Sequence, residues 1–211
     1  MDIGLARALT SRRTLRSVAA LAVAILLWIP ANALIQKLYP DRPVVPDIVF
    51  TLTPEIPWLA YLTDPIIAVS MGLYIWQALR IDRRRLPFYV FAVAALYFSR
   101  PVLMILTPLG RPTGNTDSYG IFEFTGLLQP GMFPSGHQML ATLAYFLIDR
   151  ERVPRLKRIA GYAAILEGVT LLLSRGHYSI DVVGGALVAW VIAERLSRIK
   201  DRFDLLPPRQ A

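Results

Sequence analysis

Residues 83–107 read RRRLPFYVFAVAALYFSRPVLMILT, which is three arginines followed by an apolar run long enough to cross a bilayer. Short basic bursts alternate with apolar stretches along the whole 211-residue chain, which is 55% hydrophobic and carries a formal net charge of +8. Charges confined to such bursts are typical of a multispan membrane protein, whereas nucleic-acid-binding proteins gather basic residues on one folded surface. The sequence therefore predicts an all-α, polytopic membrane helical bundle with no nucleic-acid partner.

Six transmembrane helices are predicted, within a single domain that includes residues 1–211. We expect the spans at residues 17–35, 63–80, 86–107, 134–149, 159–175 and 177–195. The catalytic core should occupy about residues 86–196, and a cytosolic tail should occupy about residues 197–211. Because residues 205–211 end in a polar, proline-containing stretch, we expect that part of the tail to be disordered.

Basic residues gather on one side of these spans. With the N-terminus in the cytosol, all but five of the 23 lysines and arginines fall in cytosolic segments. The five on the other side are Lys37, Arg42, Arg100, Arg111 and Arg175. Cytosolic loops are rich in lysine and arginine, so this bias predicts that both termini are cytosolic. We expect an integral, multi-pass protein of a bacterial inner membrane.

The first span has a second interpretation. A basic stretch, an apolar core and the tripeptide Ala31-Asn32-Ala33 follow one another in the order of a secretory signal peptide and its cleavage site. Cleavage would leave five spans. It would not move either histidine motif to the other side of the membrane.

The chain has only two histidines, and each belongs to a short polar cluster beside an apolar run. Pro134-Ser135-Gly136-His137 opens the fourth predicted span, and Ser174-Arg175-Gly176-His177 leads into the sixth. Both spans start on the non-cytosolic side. We therefore expect the two histidines at about the same depth on that face.

The residues around these histidines suggest an acid and a nucleophile. Asp181 follows His177 by four positions, so on a helix the two side chains would share one face. The carboxylate would fix the imidazole tautomer while the other ring nitrogen attacks phosphorus. His137 would protonate the leaving oxygen. The catalytic candidates are His177, Asp181 and His137, and the absence of cysteine excludes thiolate chemistry.

Phosphate is the ligand that this face is expected to bind. Ser135 and Gln138 form a capping-box pattern, which leaves backbone N–H groups at a helix start for an oxyanion. An arginine in the outer half of a span is costly unless it faces an anion, a carboxylate or water. The predicted phosphate-binding residues are Arg100, Arg111, Ser135, Gly136 and Arg175. We expect no metal and no cofactor, because the arginines would neutralise the phosphate.

Three further features lie inside or between the spans. Glu167 is midway along the fifth span, where an ionisable residue is either functional or hydrogen-bonded to a neighbouring helix, and both remain open. The run Gly184-Gly185-Ala186 predicts close helix packing. The prolines between residues 40 and 57 predict an ordered outer loop.

The histidine motifs resemble those of the type 2 phosphatidic acid phosphatase superfamily, whose members combine Pro-Ser-Gly-His with a later Ser-Arg…His-x-x-x-Asp element. The phosphatase branch has five residues between that arginine and the second histidine, where this chain has one. Its first motif, Lys-x6-Arg-Pro, is half present as Arg111-Pro112, with Met104 in the lysine position. The resemblance to another branch is closer.

That branch is the sphingomyelin synthases. Its His-Tyr-Thr-x-Asp-Val motif is similar to residues 177–182, and its tyrosine–arginine–threonine motif is similar to residues 97–107. Its outer loop resembles Val45-Pro46-Asp47. The acidic residue that the branch carries before Ser-Gly-His is missing from Gln129-Pro130-Gly131, and Glu123 is the candidate substitute.

The resemblance implies an integral-membrane lipid phosphatase or head-group phosphotransferase. Such an enzyme cleaves the phosphate ester of a lipid phosphate or phospholipid through a phosphohistidine, here at the non-cytosolic face. The acceptor would be water in a hydrolase and a lipid alcohol in a transferase. The alternative is a non-enzymatic phospholipid-binding transporter or scaffold that retains the fold.

Overall fold

The computed structural model describes residues 4–113 and 131–206, where every regular element is helical. The α-helices are α1 Leu5–Leu9, α2 Arg12–Leu26, α3 Trp28–Leu38, α4 Ile48–Leu52, α5 Ala60–Trp76, α6 Leu86–Leu106, α7 Gly136–Leu147, α8 Pro154–Leu173 and α9 Ser179–Ser197. Short 3-10 helices are Pro57–Leu59, Arg83–Arg85 and Lys200–Phe203, and a π-helical turn is Gln77–Ile81. The predicted all-α class is confirmed for these residues.

Within the described part of the chain, three helical stretches are long and apolar enough to cross a membrane: Arg12–Leu38, Pro57–Ile81 and Arg83–Leu106. These stretches contain or overlap the first three predicted spans. The other three predicted spans correspond to α7, α8 and α9. Of these, α7 has 12 residues and is the shortest, while α8 begins at Pro154, before the predicted start at residue 159, because proline suits the first position of a helix.

The interior is formed where α6 packs against α2 and α3 on one side and against α7 and α9 on the other. Helix α7 also packs against α5 and α8. The buried apolar side chains between these helices include Tyr74, Tyr89, Leu96, Met139 and Leu143. In a bilayer such packing, and not the exclusion of water, holds helices together.

The closest approach of α7 and α9 depends on two glycines. A Cβ atom on Gly185 would lie 2.8 Å from the backbone oxygen of Ser135, which leaves no room for a side chain. A Cβ atom on Gly184 would overlap the ring of Phe133. The close packing that the sequence predicts for these glycines is therefore present.

At the other end of the bundle, buried Asp82 joins the loops that follow α5 and α7. One carboxylate oxygen lies 3.4 Å from Nη1 of Arg85, and the other lies 3.7 Å from Nε of Arg84 and 3.9 Å from Nη1 of Arg152. Removing one partner of a buried ion pair is strongly destabilising, because it leaves the other charge uncompensated. The cluster fixes the basic end of the molecule.

The segment after α9 returns to this basic end. The backbone N–H of Leu205 donates to the carbonyl of Arg84 at 2.8 Å, and the ring of Phe203 lies 5.3 Å from that of Phe91. The prediction of disorder from residue 205 is therefore wrong for Leu205, because tertiary contacts order it. Residues 207–211 lie outside the described residues.

Replacing Gly185 by alanine should destabilise the bundle. The new methyl group would push the backbone of Ser135 away from α9, and overpacking of this kind costs about 1–3 kcal/mol. The matched control is Gly72→Ala, because a Cβ atom there meets nothing within 4 Å. Thermal unfolding in detergent should show a lower midpoint for Gly185→Ala and an unchanged or higher midpoint for the control. Equal midpoints for the two variants would contradict the packing.

Candidate active site

The two histidine motifs meet at the start of α7 and α9. The backbone N–H of Ser135 donates to the carbonyl of Asp181 at 3.0 Å, which ties the first motif to the second. Both helices start at this junction. Helix α8, which lies between them in the sequence, runs in the opposite direction. His137 and His177, which are 40 positions apart in the sequence, are thereby brought to one end of the bundle.

His177 is paired with the aspartate that the sequence predicts for it. Its Nδ1 atom lies 3.2 Å from Oδ2 of Asp181, and the same oxygen accepts a hydrogen bond from the backbone N–H of Tyr178 at 3.0 Å. The expectation that both side chains share a helix face is wrong, because α9 starts at Ser179 and His177 precedes it. The turn before the helix produces the contact, and it leaves Nε2 of His177 available.

His137 has a carboxylate partner that sequence reasoning missed. Its Nε2 atom lies 3.3 Å from Oδ1 of Asp64, which belongs to the first turns of α5. The two residues are 73 positions apart, so no local pattern connects them. The available signal was the presence of a single carboxylate in a predicted apolar span, which is costly unless the residue has a role.

The two histidine pairs and one arginine form a single electrostatic group. His177 interacts with the charges of Arg100 and His137, and Arg100 interacts with Asp181. Asp181 is completely buried, whereas the side chains of His177 and His137 remain 12% and 33% exposed. The carboxylate therefore supports the site from inside, and both imidazoles are accessible from its outer end.

Arg100 holds the backbone that leads into α7. Its Nε and Nη2 atoms donate to the carbonyls of Pro134 at 3.1 Å and Gly131 at 3.3 Å, and its guanidinium lies 4.7 Å from the centre of the Trp28 ring. A Cβ atom on Gly136 would lie 3.4 Å from the guanidinium carbon. The positive charge therefore lies beside the helix start, where phosphate binding was predicted.

The capping box is only half formed. Ser135 is the N-cap of α7 and its hydroxyl accepts from the backbone N–H of Gln138 at 3.4 Å. The side chain of Gln138 does not return to Ser135, and instead donates to the hydroxyl of Thr142 and the carbonyl of Ala164. The prediction for Gln138 is wrong because Thr142 of α7 and Ala164 of α8 offer its side chain buried partners. The first N–H groups of α7, including that of Gly136, still lack intrahelical acceptors, as at any helix start.

Arg175 binds the outer segment. It has a left-handed backbone with φ of 58°, and its guanidinium donates to the carbonyls of Phe50 at 2.9 Å and Thr53 at 2.6 Å. It also lies 4.3 Å from the centre of the Phe50 ring. The side chain that sequence reasoning assigned to phosphate thus fastens the segment around α4 to the second histidine motif.

Asp47 and Tyr178 fasten the same segment. One carboxylate oxygen of Asp47 accepts from the backbone N–H of Ser179 at 2.6 Å and the other from that of Val49 at 2.9 Å. The hydroxyl of Tyr178 accepts from the N–H of Val45 at 3.3 Å. The ordered outer loop that the sequence predicts is therefore attached directly to the start of α9.

Three predicted site residues remain, namely Arg111, Glu167 and Glu123. Arg111 is near Arg42, whose pKa is lowered by partial burial and by the neighbouring charge of Arg111. Glu167 is completely buried, interacts electrostatically with Asp64, and has no hydrogen-bond partner on either carboxylate oxygen among the described residues. Glu123 lies outside the described residues. Across residues 4–113 and 131–206, no three histidine or acidic side chains are grouped as metal ligands.

Comparisons with known proteins identify similar sequences. The family model AtPDCT1/2 matches residues 49–198. The chain is 28% identical over 178 residues to "Putative phosphatidylcholine:ceramide cholinephosphotransferase 3" of Caenorhabditis elegans, covering 69% of this chain and 51% of that protein. It is 27% identical over 184 residues to phosphatidylcholine:ceramide cholinephosphotransferase 1 of the same organism, covering 71% and 38%. The chain therefore spans about half the length of these relatives, or less. No solved structure matches it significantly.

Replacing Arg175 by glutamine should release the segment around α4. The neutral side chain is shorter and cannot keep both carbonyl contacts and the ring contact at Phe50. Hydrogen exchange followed by mass spectrometry should show faster exchange in residues 48–56 and unchanged exchange in α6. Arg198→Gln, which removes an exposed arginine at the other end of α9, is the control. Unchanged exchange in residues 48–56 would show that Arg175 does not hold them.

Proposed function

The chain belongs to the AtPDCT1/2 family, and on that premise we propose that it is a membrane enzyme that transfers a phosphorylated head group between lipids. The observation that carries the proposal is the pair of histidines, each bound to its own carboxylate at one end of the bundle. The names of the two nematode relatives supply the substrate class, which is a phospholipid donor and a lipid alcohol acceptor.

The first step forms a bond between His177 and phosphorus. Nε2 of His177 attacks the phosphate of the donor phospholipid, and the ester bond to the diacylglycerol oxygen breaks. Asp181 holds the proton on Nδ1 and stabilises the positive imidazole that develops. His137 gives a proton to the leaving oxygen from Nδ1, because its Nε2 atom is bound to Asp64. The products are diacylglycerol and a phosphohistidine that carries the head group.

The second step reverses these roles. The hydroxyl of a ceramide or a diacylglycerol attacks the same phosphorus, the bond to His177 breaks, and His137 takes up the hydroxyl proton. Arg100 and the helix start at Ser135 and Gly136 stabilise the phosphate oxygens through both steps. Arg175 and Arg111 act at the periphery, the first by holding the outer segment over the site. We assign Glu167 and Glu123 accessory places in this scheme.

We also propose the membrane arrangement. The six helices α2–α3, α5, α6, α7, α8 and α9 span the bilayer, with the termini and the Asp82 cluster on the cytosolic side. Arg100 lies about 21 Å along α6 from Leu86, which separates the histidines from that cluster by most of the bilayer. The site then opens on the non-cytosolic face. The chemistry is that of the type 2 phosphatidic acid phosphatase superfamily.

His177→Ala should abolish transfer. Purified full-length protein in nanodiscs receives phosphatidylcholine with a labelled head group, together with ceramide or diacylglycerol, and mass spectrometry follows the label. Without the nucleophile, turnover should fall at least about 10³-fold. Arg195→Gln, an exposed change at the basic end, is the control.

The three candidate activities give different products in this assay. A transferase moves the label to the acceptor lipid, a phosphatase releases it without a new lipid, and a scaffold produces neither. The transferase assignment requires the labelled acceptor lipid and its loss in His177→Ala. If His177→Ala were folded and turned over at the parent rate, the nucleophile assignment would be wrong.

Asp64→Asn should slow the same reaction less than His137→Ala does. The acid remains but loses the carboxylate that orients it, so we expect a loss of up to about 10²-fold, within the range of general acid–base catalysis. Because Asp64 acts through His137, the double variant should be no slower than His137→Ala alone. If the rate loss of the double variant equalled the product of the two single losses, Asp64 would act independently of His137.

A further inference from the structure

A groove of about 630 Å³ opens between α5 and the start of α8, at the basic end of the bundle. Its wall on α5 is apolar and is formed by Gly72, Leu73 and Trp76. Gly72 and Trp76 are four residues apart, so they lie on the same face of α5, and both are exposed on the outside of the bundle. At the mouth lie Arg152, in the turn before α8, and Arg155, in the first turn of α8, and none of the described residues that line the groove is acidic. The groove therefore has an apolar wall and a cationic entrance.

The two arginines at the entrance differ in how they are bound. Arg152 donates to the carbonyl of Ile81 at 3.1 Å and lies 3.6 Å from Asp149 and 3.9 Å from Asp82. Arg155 is exposed and has no hydrogen bond or ion pair with any residue in the described part of the chain. The guanidinium of Arg155 is consequently available to an external anion. The guanidinium of Arg152 is held at the entrance by its contacts with Ile81, Asp149 and Asp82.

We propose that this groove binds an anionic phospholipid of the leaflet at the basic end of the bundle. The lipid phosphate contacts Arg155 and the edge of Arg152, and an acyl chain lies along Gly72, Leu73 and Trp76. A soluble anion would use the arginines and leave the apolar wall bare. A zwitterionic head group would place its own cation near the two guanidinium groups, which disfavours it. The ligand that uses both parts of the groove is an anionic lipid.

The absence of a side chain at Gly72 gives the groove its depth. A Cβ atom there would meet nothing within 4 Å, so glycine is not required for helix packing at this position. A larger side chain would project into the space that we assign to the acyl chain. This site lies at the opposite end of the bundle from His137 and His177. It is separate from the proposed reaction, and its test does not depend on that function.

Trp76 provides a direct measurement, because it lines the groove and is 42% exposed. The full chain is reconstituted in vesicles of unlabelled phosphatidylcholine that contain a small fraction of brominated lipid, either phosphatidylglycerol or phosphatidylcholine. Bromine quenches tryptophan fluorescence on contact. The chain has three other tryptophans, which also fluoresce. The quenching at the groove is therefore the difference between the parent protein and Trp76→Phe.

Half-maximal quenching of Trp76 should require a mole fraction of brominated phosphatidylglycerol at least about fivefold lower than that of brominated phosphatidylcholine. This is the preference expected for one basic residue near an anionic lipid. Arg155→Gln should remove that preference, and Gly72→Leu should reduce quenching by both lipids. Arg195→Gln removes the same charge outside the groove and should preserve the preference. Melting temperatures equal to that of the parent establish that each variant is folded.

Three results would overturn the proposal. The first is equal quenching of Trp76 by both lipids in the parent protein. The second is a preference that survives in Arg155→Gln as fully as in Arg195→Gln. The third is displacement of the brominated lipid by millimolar inorganic phosphate, which would mean that the entrance binds phosphate alone without use of the apolar wall.

Discussion

The hydrogen bond from the N–H of Ser135 to the carbonyl of Asp181 is the contact on which the rest of the site depends. It forms because Gly185 lets the backbone of α7 approach α9 without an intervening side chain. A helix start is rich in unpaired N–H groups, and in a bilayer each of them needs a partner. The bond to Asp181 gives the N–H of Ser135 its partner and joins the starts of α7 and α9. It also brings His137 and His177 to the same end of the bundle.

The two carboxylates at this junction position their histidines in different ways. Asp181 accepts from the backbone of Tyr178, which caps α9, and binds the imidazole of His177 with the same oxygen. The orientation of His177 is therefore coupled to the integrity of the helix start. Asp64 orients His137 from a different helix, α5, so that pair depends on tertiary packing. One histidine is positioned locally, and the other by the assembly of the bundle.

This difference explains what the sequence predicts and what it does not. The pairing of His177 with Asp181 and the N-cap at Ser135 involve residues close in the chain, so the sequence predicts both contacts, although the turn before α9 and not a shared helix face produces the first. The partner of His137 is Asp64, 73 residues away, and only the folded bundle connects the two. The direction of the Arg175 side chain depends on a left-handed backbone that spacing does not reveal. Helix class and three apolar spans follow from composition, while helix ends shift by several residues because capping decides them.

The arginines at the two ends of the bundle differ in their partners. At the basic end, Arg85 is bound to carboxylates, including that of Asp82, so opposite charges cancel in direct ion pairs. At the histidine end, Arg100 and Arg175 donate hydrogen bonds to backbone carbonyls, and Arg175 also to a hydroxyl, which fix the guanidinium groups without neutralising them. Asp181 in turn binds an imidazole and a backbone N–H. Because the hydrogen-bond partners of these two arginines are neutral, their guanidinium groups keep their positive charge at the histidine end.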